Sequence, residues 1–442
     1  IRSDDMGIGS SPTVGETCDS CLQKFTIHFR RCEDNIYDGS YGFDWYRPEY
    51  FKKLTYFRAN TAAEFGKKVA LVSGSIASLK ATYTSDQISK ISPFGTEYIP
   101  AWLAIYPFSQ ENMDHSNSLN REVRLNLELK LLNSENNFSL NNDGSKIKFE
   151  VSNPHIVIEP TEFSIEDFIY ANKMTRDLGE ENKREEETYY LASEIVKIKC
   201  VGPLQKHGEI IVTAIKGEAQ EKVGKLMIYH NAVIPTLKVV FVDVVTDGLS
   251  QKRTHDYEDF LKNRSFNQAL INVEMTNASE FDFRKYRKND VDVNISLNKL
   301  NINDTSYFLS DLSKFYKKYQ DKNLAIKNYV FVTNVSKKEG VGSGGESVVL
   351  LKCPQNIFNQ VVVHELGHRF GLDHIFEAQK LTAKGSSFQF LRGTTANFLD
   401  YDHRKSDDNE KNNNKSKAIA NPNLSLKYFF KYQWDLLRNR VK

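Results

Sequence analysis

Long apolar runs are missing from this chain. The longest, over residues 237–245, is broken by Lys238 and Asp243. That is far short of the ~18 consecutive apolar residues that a membrane-crossing helix needs, so no transmembrane segment is expected. A surplus of one charge is missing too: 59 basic side chains face 57 acidic ones, for a net charge of +2. So even a balance gives no electrostatic reason to expect nucleic acid or an anionic membrane as a partner. Cysteine is scarce and odd in number, with Cys18, Cys21, Cys32, Cys200 and Cys353 the whole complement. Five thiols exclude a disulfide-stapled miniprotein, and Cys18 and Cys21 form one CxxC without the second pair of a zinc knuckle. Free thiols or one local disulfide are expected there. No internal repeat is present.

What remains is an ordinary globular composition, 40% hydrophobic and 26% charged over 442 residues. That length supports several domains, each burying its own core. The chain begins at Ile1 rather than Met, which leaves room for a leader removed upstream, and an exported, extracellular protein is expected. Residues 1–17 read as a flexible polar tail. Apolar residues then alternate at Phe25, Ile27 and Phe29 and, for nine residues, from Val123 to Leu131. The second run predicts a strand with one wet face. Further strands are predicted over 69–75, 98–106, 146–151, 156–159, 195–201 and 209–215. An aromatic cluster over 37–50 reads as packed irregular chain. The charged runs over 179–187 and 404–417 read as exposed loops. Short strands between turn residues predict an all-β, sandwich-like N-terminal region of two modules, residues 18–120 and 121–235.

The texture changes after Pro235. A buried strand over 237–245, helical spacing over 256–268 and 308–319, and strands over 269–273, 328–335 and 347–352 predict an α/β layer with a mixed sheet. Residues 236–442 are therefore expected to form a separate α/β domain. A last helix opened by Pro422 is predicted to bury Leu426, Phe429, Phe430, Leu436 and Leu437.

The chemistry is concentrated in residues 361–374, VVVHELGHRFGLDH. Pro354 suits the start of a helix whose apolar face is Ile357, Phe358, Val361, Val362 and Leu366. His364 and His368 stand one turn apart on one face of that helix, with Cβ atoms about 5–6 Å apart. Two imidazole nitrogens at that spacing can both reach a Zn²⁺ at about 2.0–2.1 Å. Glu365 is adjacent to the first histidine and so cannot share the metal in the same way; it can instead take a proton from water at the metal. Gly371 marks a left-handed turn that ends the helix and returns His374 toward the metal. Three histidines leave a coordination position open, as a catalytic site requires and a structural site does not. A bare HExxH arises by chance in about 1% of chains of this size; requiring Gly371 and His374 lowers that by about three orders of magnitude. Coincidence is therefore set aside.

The run HELGHRFGLDH resembles the extended zinc signature of the metzincin metalloendopeptidases. The resemblance covers roughly residues 236–442 and implies a sheet-and-helix lobe over the site, a smaller lobe below it, and a Zn²⁺ cofactor. It further implies a supporting turn that bears methionine in the family; here the candidate is residues 395–401, with Leu399 at the methionine position. Leu and Met are similar in volume, and such a swap usually costs under about 1.5 kcal/mol. Tyr401, two residues on, matches the tyrosine that stabilises the transition state in two branches of the family. The implied activity is endopeptidase cleavage of protein or peptide substrates.

Other features carry less. His403 reads as a solvent-exposed histidine before a substrate contact, and Asp400 and Asp402 as turn formers. Cys200, in a strand-like run, reads as buried and structural rather than as an inhibitory thiolate. Residues 340–345 suit either a plain turn or a substrate-lining loop. The N-terminal β modules would bind a target or a delivery partner, or serve as a prodomain. Two alternatives stand beside the protease: a toxin or effector protease delivered by a secretion machine, and an adhesion or binding protein whose protease domain is inactive.

Overall fold

The structure, a computed structural model, describes residues 21–33, 36–47, 73–108, 122–132, 139–177, 186–246, 252–301, 306–320, 328–335, 342–344, 347–350, 352–377, 379–380, 387–388, 390, 395–400 and 426–441. The expected tail over 1–17, the loop over 404–417 and Tyr401, Asp402 and His403 lie outside these residues. The chain has mixed α/β content, with two large sheets and several helices.

The first sheet is built from β1 (Phe25–Arg30), β2 (Gly42–Asp44), β3 (Ala101–Ala104), β4 (Glu122–Leu131), β5 (Lys146–Val151), β6 (Ile156–Glu159), β7 (Glu162–Ser164), β8 (Asn172–Asp177), β9 (Glu186–Cys200), β10 (Gly208–Lys216) and β11 (Ala219–Ile228). Its main path runs β6-β9-β4-β1-β11-β10-β5-β7. β1 pairs antiparallel with β4 and parallel with β11. A strand from the first expected module therefore lies between two strands of the second, and the boundary near residue 120 does not separate two sheets. The alternation that predicts each strand specifies its faces but leaves its neighbour open. The region is also not all-β. A helix, α1 (Ser73–Thr84), occupies the end of the strand expected over 69–75, and a short α2 (Ile165–Ile169) follows β7.

β4 departs from its prediction in a second way. Leu125, Leu127 and Leu129 are buried as expected, but Asn126 and Glu128 on the supposedly wet face are buried too. Asn126 sits at an irregularity in the β4–β9 register, and its Oδ1 accepts from the Glu194 amide at 2.8 Å. Glu128 accepts two hydrogen bonds from Arg176, at 2.7 and 3.1 Å, and pairs with Arg30 at 3.3 Å and Lys130 at 3.4 Å. Burial opposes ionisation of this carboxyl, but Arg30, Lys130 and Arg176 outweigh it and hold it far below the usual carboxylate range.

The second sheet comprises β12 (Thr236–Val245), β13 (Asn272–Asn277), β14 (Phe281–Asp282), β15 (Tyr329–Val332), β16 (Gly342–Gly344) and β17 (Ser347–Leu350). Its order is β13-β12-β15-β17-β16, with β14 beside β12. All pairs are parallel except β16–β17, so the sheet is mixed, with an antiparallel edge. The helices are α3 (Tyr257–Asn263), α4 (Val291–Asn301), α5 (Ser306–Tyr319) and α6 (Phe358–Arg369). β12 is apolar on both faces because both are covered. Val240, Val242 and Val244 pack with Val293 and Leu297 of α4 and with Leu312 and Phe315 of α5. Leu237, Val239 and Phe241 belong to a larger core that contains Phe358, Val362 and Leu366 of α6. The same core holds Phe25, Ile27 and Leu127 of the first sheet, so the two sheets share one apolar interior.

Two short strands, β18 (Gln379–Lys380) and β19 (Ser387–Phe388), form a small hairpin, and α7 (Lys431–Arg440) ends the described chain. Of the residues expected in a last helix, Leu426, Phe429 and Phe430 are buried in extended chain before it, and Leu437 is buried within it. Leu436 is 39% exposed, because the helix begins later and points that position outward. Pro422 lies outside the described residues.

Glu128→Gln should destabilise the protein by up to about 3–5 kcal/mol, since a buried carboxylate shared by three partly buried cations would be lost, with Glu187 left to pair with Lys130 and Arg176. The depressed carboxyl contributes stability that is present above its unfolded pKa of about 4.3 and lost as pH falls toward the folded value. The stability gap between wild type and variant, followed by chemical denaturation, should therefore close under acid; a gap that is absent at pH 7 would contradict the assignment.

Candidate metal centre

α6 is held by burial of Phe358, Val362 and Leu366 against the second sheet. A 3-10 turn (Gln355–Ile357) separates it from Pro354. Its end is a Schellman turn: the Gly371 amide donates to the His368 carbonyl at 2.9 Å, and the Leu372 amide to the Gly367 carbonyl at 3.0 Å. Gly371 has φ +78°, the left-handed conformation that a side chain disfavours. As the spacing predicted, the turn carries His374 back to the helix.

The three imidazoles converge. His368 Nε2 lies 3.1 Å from His364 Nε2 and 3.0 Å from His374 Nε2. Two nitrogens bound to one zinc ion at about 2.0–2.1 Å in tetrahedral geometry would stand about 3.3 Å apart, close to these separations. The other ring nitrogens decide the tautomers. His364 Nδ1 donates to the Phe398 carbonyl at 2.7 Å, and His368 Nδ1 to the Leu372 carbonyl at 2.7 Å. A carbonyl oxygen only accepts, so the proton of each neutral ring sits on Nδ1 and the lone pair on Nε2. His374 Nδ1 faces Glu377 Oε1 at 3.0 Å in the same sense. Burial pushes the His364 pKa down to about 3 and also lowers that of His368, which keeps both rings neutral. The three Nε2 atoms then converge within about a hydrogen-bond length of one another, an arrangement that suits a shared cation. His364, His368 and His374 thus form a cluster able to hold a metal ion.

Glu365 is buried beside His364. Burial pushes its carboxyl up to about 8, and no ion pair or hydrogen bond compensates it among the described residues. A carboxyl in that state can exchange a proton near neutral pH.

Beneath α6 lies the turn over residues 395–400. Thr395 donates to the buried Asp400 carboxylate from its amide at 3.0 Å and from its hydroxyl at 2.9 Å, so Asp400 is the turn former that the sequence suggested. Leu399 is fully buried, and its Cδ2 would lie 3.1 Å from a Cβ placed on Gly367. The glycine of the helix and the leucine of the turn therefore fit closely. Residues 342–344 of the glycine-rich stretch form the edge strand β16 rather than a plain turn. Cys200 lies buried in β9, where burial pushes its thiol up to about 12, as expected of a structural cysteine. Cys21 is disulfide-bonded.

The spacing missed the residues that orient the ligands. Glu377 sits three positions after His374, a spacing that could have signalled it. Asn397, Phe398 and Gln433 become neighbours of the site only through folding. No protein-family model and no curated protein matches the chain.

Glu377 is 53% exposed at its side chain, so Glu377→Ala should leave the metal-free fold intact. Partners of this kind typically account for about 10–100-fold in metal affinity. Competition against a chromophoric chelator should record a loss of that size; wild-type affinity would remove Glu377 from the site.

Proposed function

We propose that this chain is a zinc-dependent endopeptidase of metzincin-like design. The observation that carries the reading is the convergence of three Nε2 lone pairs, each oriented by an Nδ1–H donated elsewhere, next to a buried carboxyl. An all-imidazole donor set suits zinc better than magnesium or calcium, which take oxygen ligands. When bound, zinc supplies Lewis acidity, bringing the pKa of water toward about 7 and polarising a peptide carbonyl.

The chain's own residues supply the rest. Glu365 accepts a proton from the attacking water and returns it to the leaving amine nitrogen as the C–N bond breaks. Its uncompensated burial suits a group that must alternate between both protonation states. Tyr401 is assigned the hydrogen bond to the oxyanion on the strength of the family resemblance. Among the described residues β16 is an edge of the second sheet, and an extended peptide would bind there by strand addition with little side-chain selectivity. The mixed sheet over α6 supports the lobe arrangement that the resemblance implies. In this reading the protein acts outside the cell, and the first sheet presents substrate or a target to the site.

The test is cleavage of an unfolded protein by wild type and by Glu365→Ala, with zinc content measured on both. Wild type should cut and the variant should fall by at least about 10²-fold, the lower end of the range expected for one acid–base group, while both retain one zinc per chain. A wild-type chain that takes up no zinc would put the binding-protein alternative in its place.

A further inference from the structure

His364 is anchored by the Phe398 carbonyl, and the turn that aims this carbonyl is itself held from α7. Asn397 Oδ1 accepts from the Leu399 amide at 2.9 Å, while its Nδ2 donates to Gln433 Oε1 at 2.7 Å. Gln433 is fully buried on the first turn of α7, and its Oε1 also accepts from the Phe430 amide at 2.8 Å. The start of α7 has a local deficiency. Its N-cap residue is Phe430, which has no side-chain acceptor for the first helical amides. The acceptor comes instead from 387 positions earlier in the chain: the Lys431 amide donates to Asp44 Oδ2 at 2.7 Å. Asp44 lies on β2, fully buried; the same oxygen accepts from Tyr83 at 2.7 Å, and Oδ1 pairs with Arg47 at 2.8 Å. A carboxylate at this end also opposes the positive pole of the helix dipole.

Neighbouring contacts press the same two regions together. Asn267 Nδ2 donates to the Gly39 carbonyl at 3.0 Å. A Cβ on Gly42 would lie 2.1 Å from the Gln268 carbonyl oxygen. Gln268 in turn accepts from the Phe429 amide at 3.1 Å and donates to the Lys427 carbonyl at 2.8 Å. The segment leading into α7 is thus clamped by residues that meet the first sheet.

We infer that Asp44 is a positioning residue for the metal ligand His364, acting through α7, Gln433 and Asn397. The first sheet is then a permanent part of the working enzyme, not a segment whose removal activates it. This rests on the metal-centre reading above, and the test separates the two. In the full-length chain, zinc affinity would be measured by chelator competition, and the Co²⁺ absorption spectrum recorded, for wild type, Asp44→Ala, Asp44→Asn and Phe168→Ala. Phe168 is fully buried on α2, which packs on β7 and β9, and its ring meets Phe163. Asp44→Ala should weaken zinc binding about 10-fold or more and alter the Co²⁺ spectrum. Asp44→Asn should fall between, since its amide oxygen still accepts from Lys431. Phe168→Ala should lower the unfolding temperature but keep wild-type affinity. Should Asp44→Ala fail to fold, Gln433→Ala carries the same expectation. Unchanged affinity in both Asp44→Ala and Gln433→Ala, or an equal loss in Phe168→Ala, overturns the inference. A wild type that binds no zinc overturns the metal-centre reading itself, and this one with it.

Discussion

The orientation of three imidazole rings governs the candidate metal site. Each is held at its Nδ1 by an acceptor outside the ring, and this leaves the Nε2 lone pairs facing one point. Without those acceptors the rings could flip or change tautomer, and helical spacing alone would not define a ligand set. The acceptors have different origins. The Leu372 carbonyl is set by the turn at Gly371, so α6 orients its own second histidine. The Phe398 carbonyl belongs to a turn built on Asp400 and Asn397, and Glu377 reaches His374 from the half-exposed rim.

Buried carboxylates organise much of the remaining structure. Glu128 gathers Arg30, Lys130 and Arg176 on the first sheet. Asp400 closes the turn below α6, and Asp44 supplies the missing cap of α7. Each is surrounded by donors, as a buried charge must be to avoid a large desolvation cost. Glu365 is the contrast: it is buried without such compensation among the described residues. Uncompensated burial perturbs ionisation and is more typical of a reacting group than of a structural one.

The elements with strong local signals were readable in advance. The alternation at Leu125, Leu127 and Leu129, the continuous apolar run of β12 and the helical face of α6 all took their expected forms. Local signals failed where a partner was distant. The alternation in β4 marks Glu128 as wet, and only cations brought in by folding, Arg30 from 98 positions away and Arg176 from 48, together with Lys130, make its burial tolerable. Leu426, Phe429 and Phe430 have helix-like spacing, yet they pack in extended chain because Gln268 and the 395–400 turn bind their backbone. Two β modules were expected because strand periodicity identifies faces without naming neighbours.

The amino-acid sequence by itself determined which residues could serve as metal ligands. The four-residue spacing of His364 and His368 and the glycine at 371 act within one helix and its turn, where the backbone geometry is local and nearly obligatory. Tertiary structure alone decided whether those ligands are aimed. Asp44, the turn that holds Asn397 and Phe398, and Gln433 are far apart along the chain, and the hydrogen bonds that link them exist only once two sheets and α7 have closed a common core. Spacing prescribes what a helix presents, whereas orientation depends on contacts that a linear pattern does not encode.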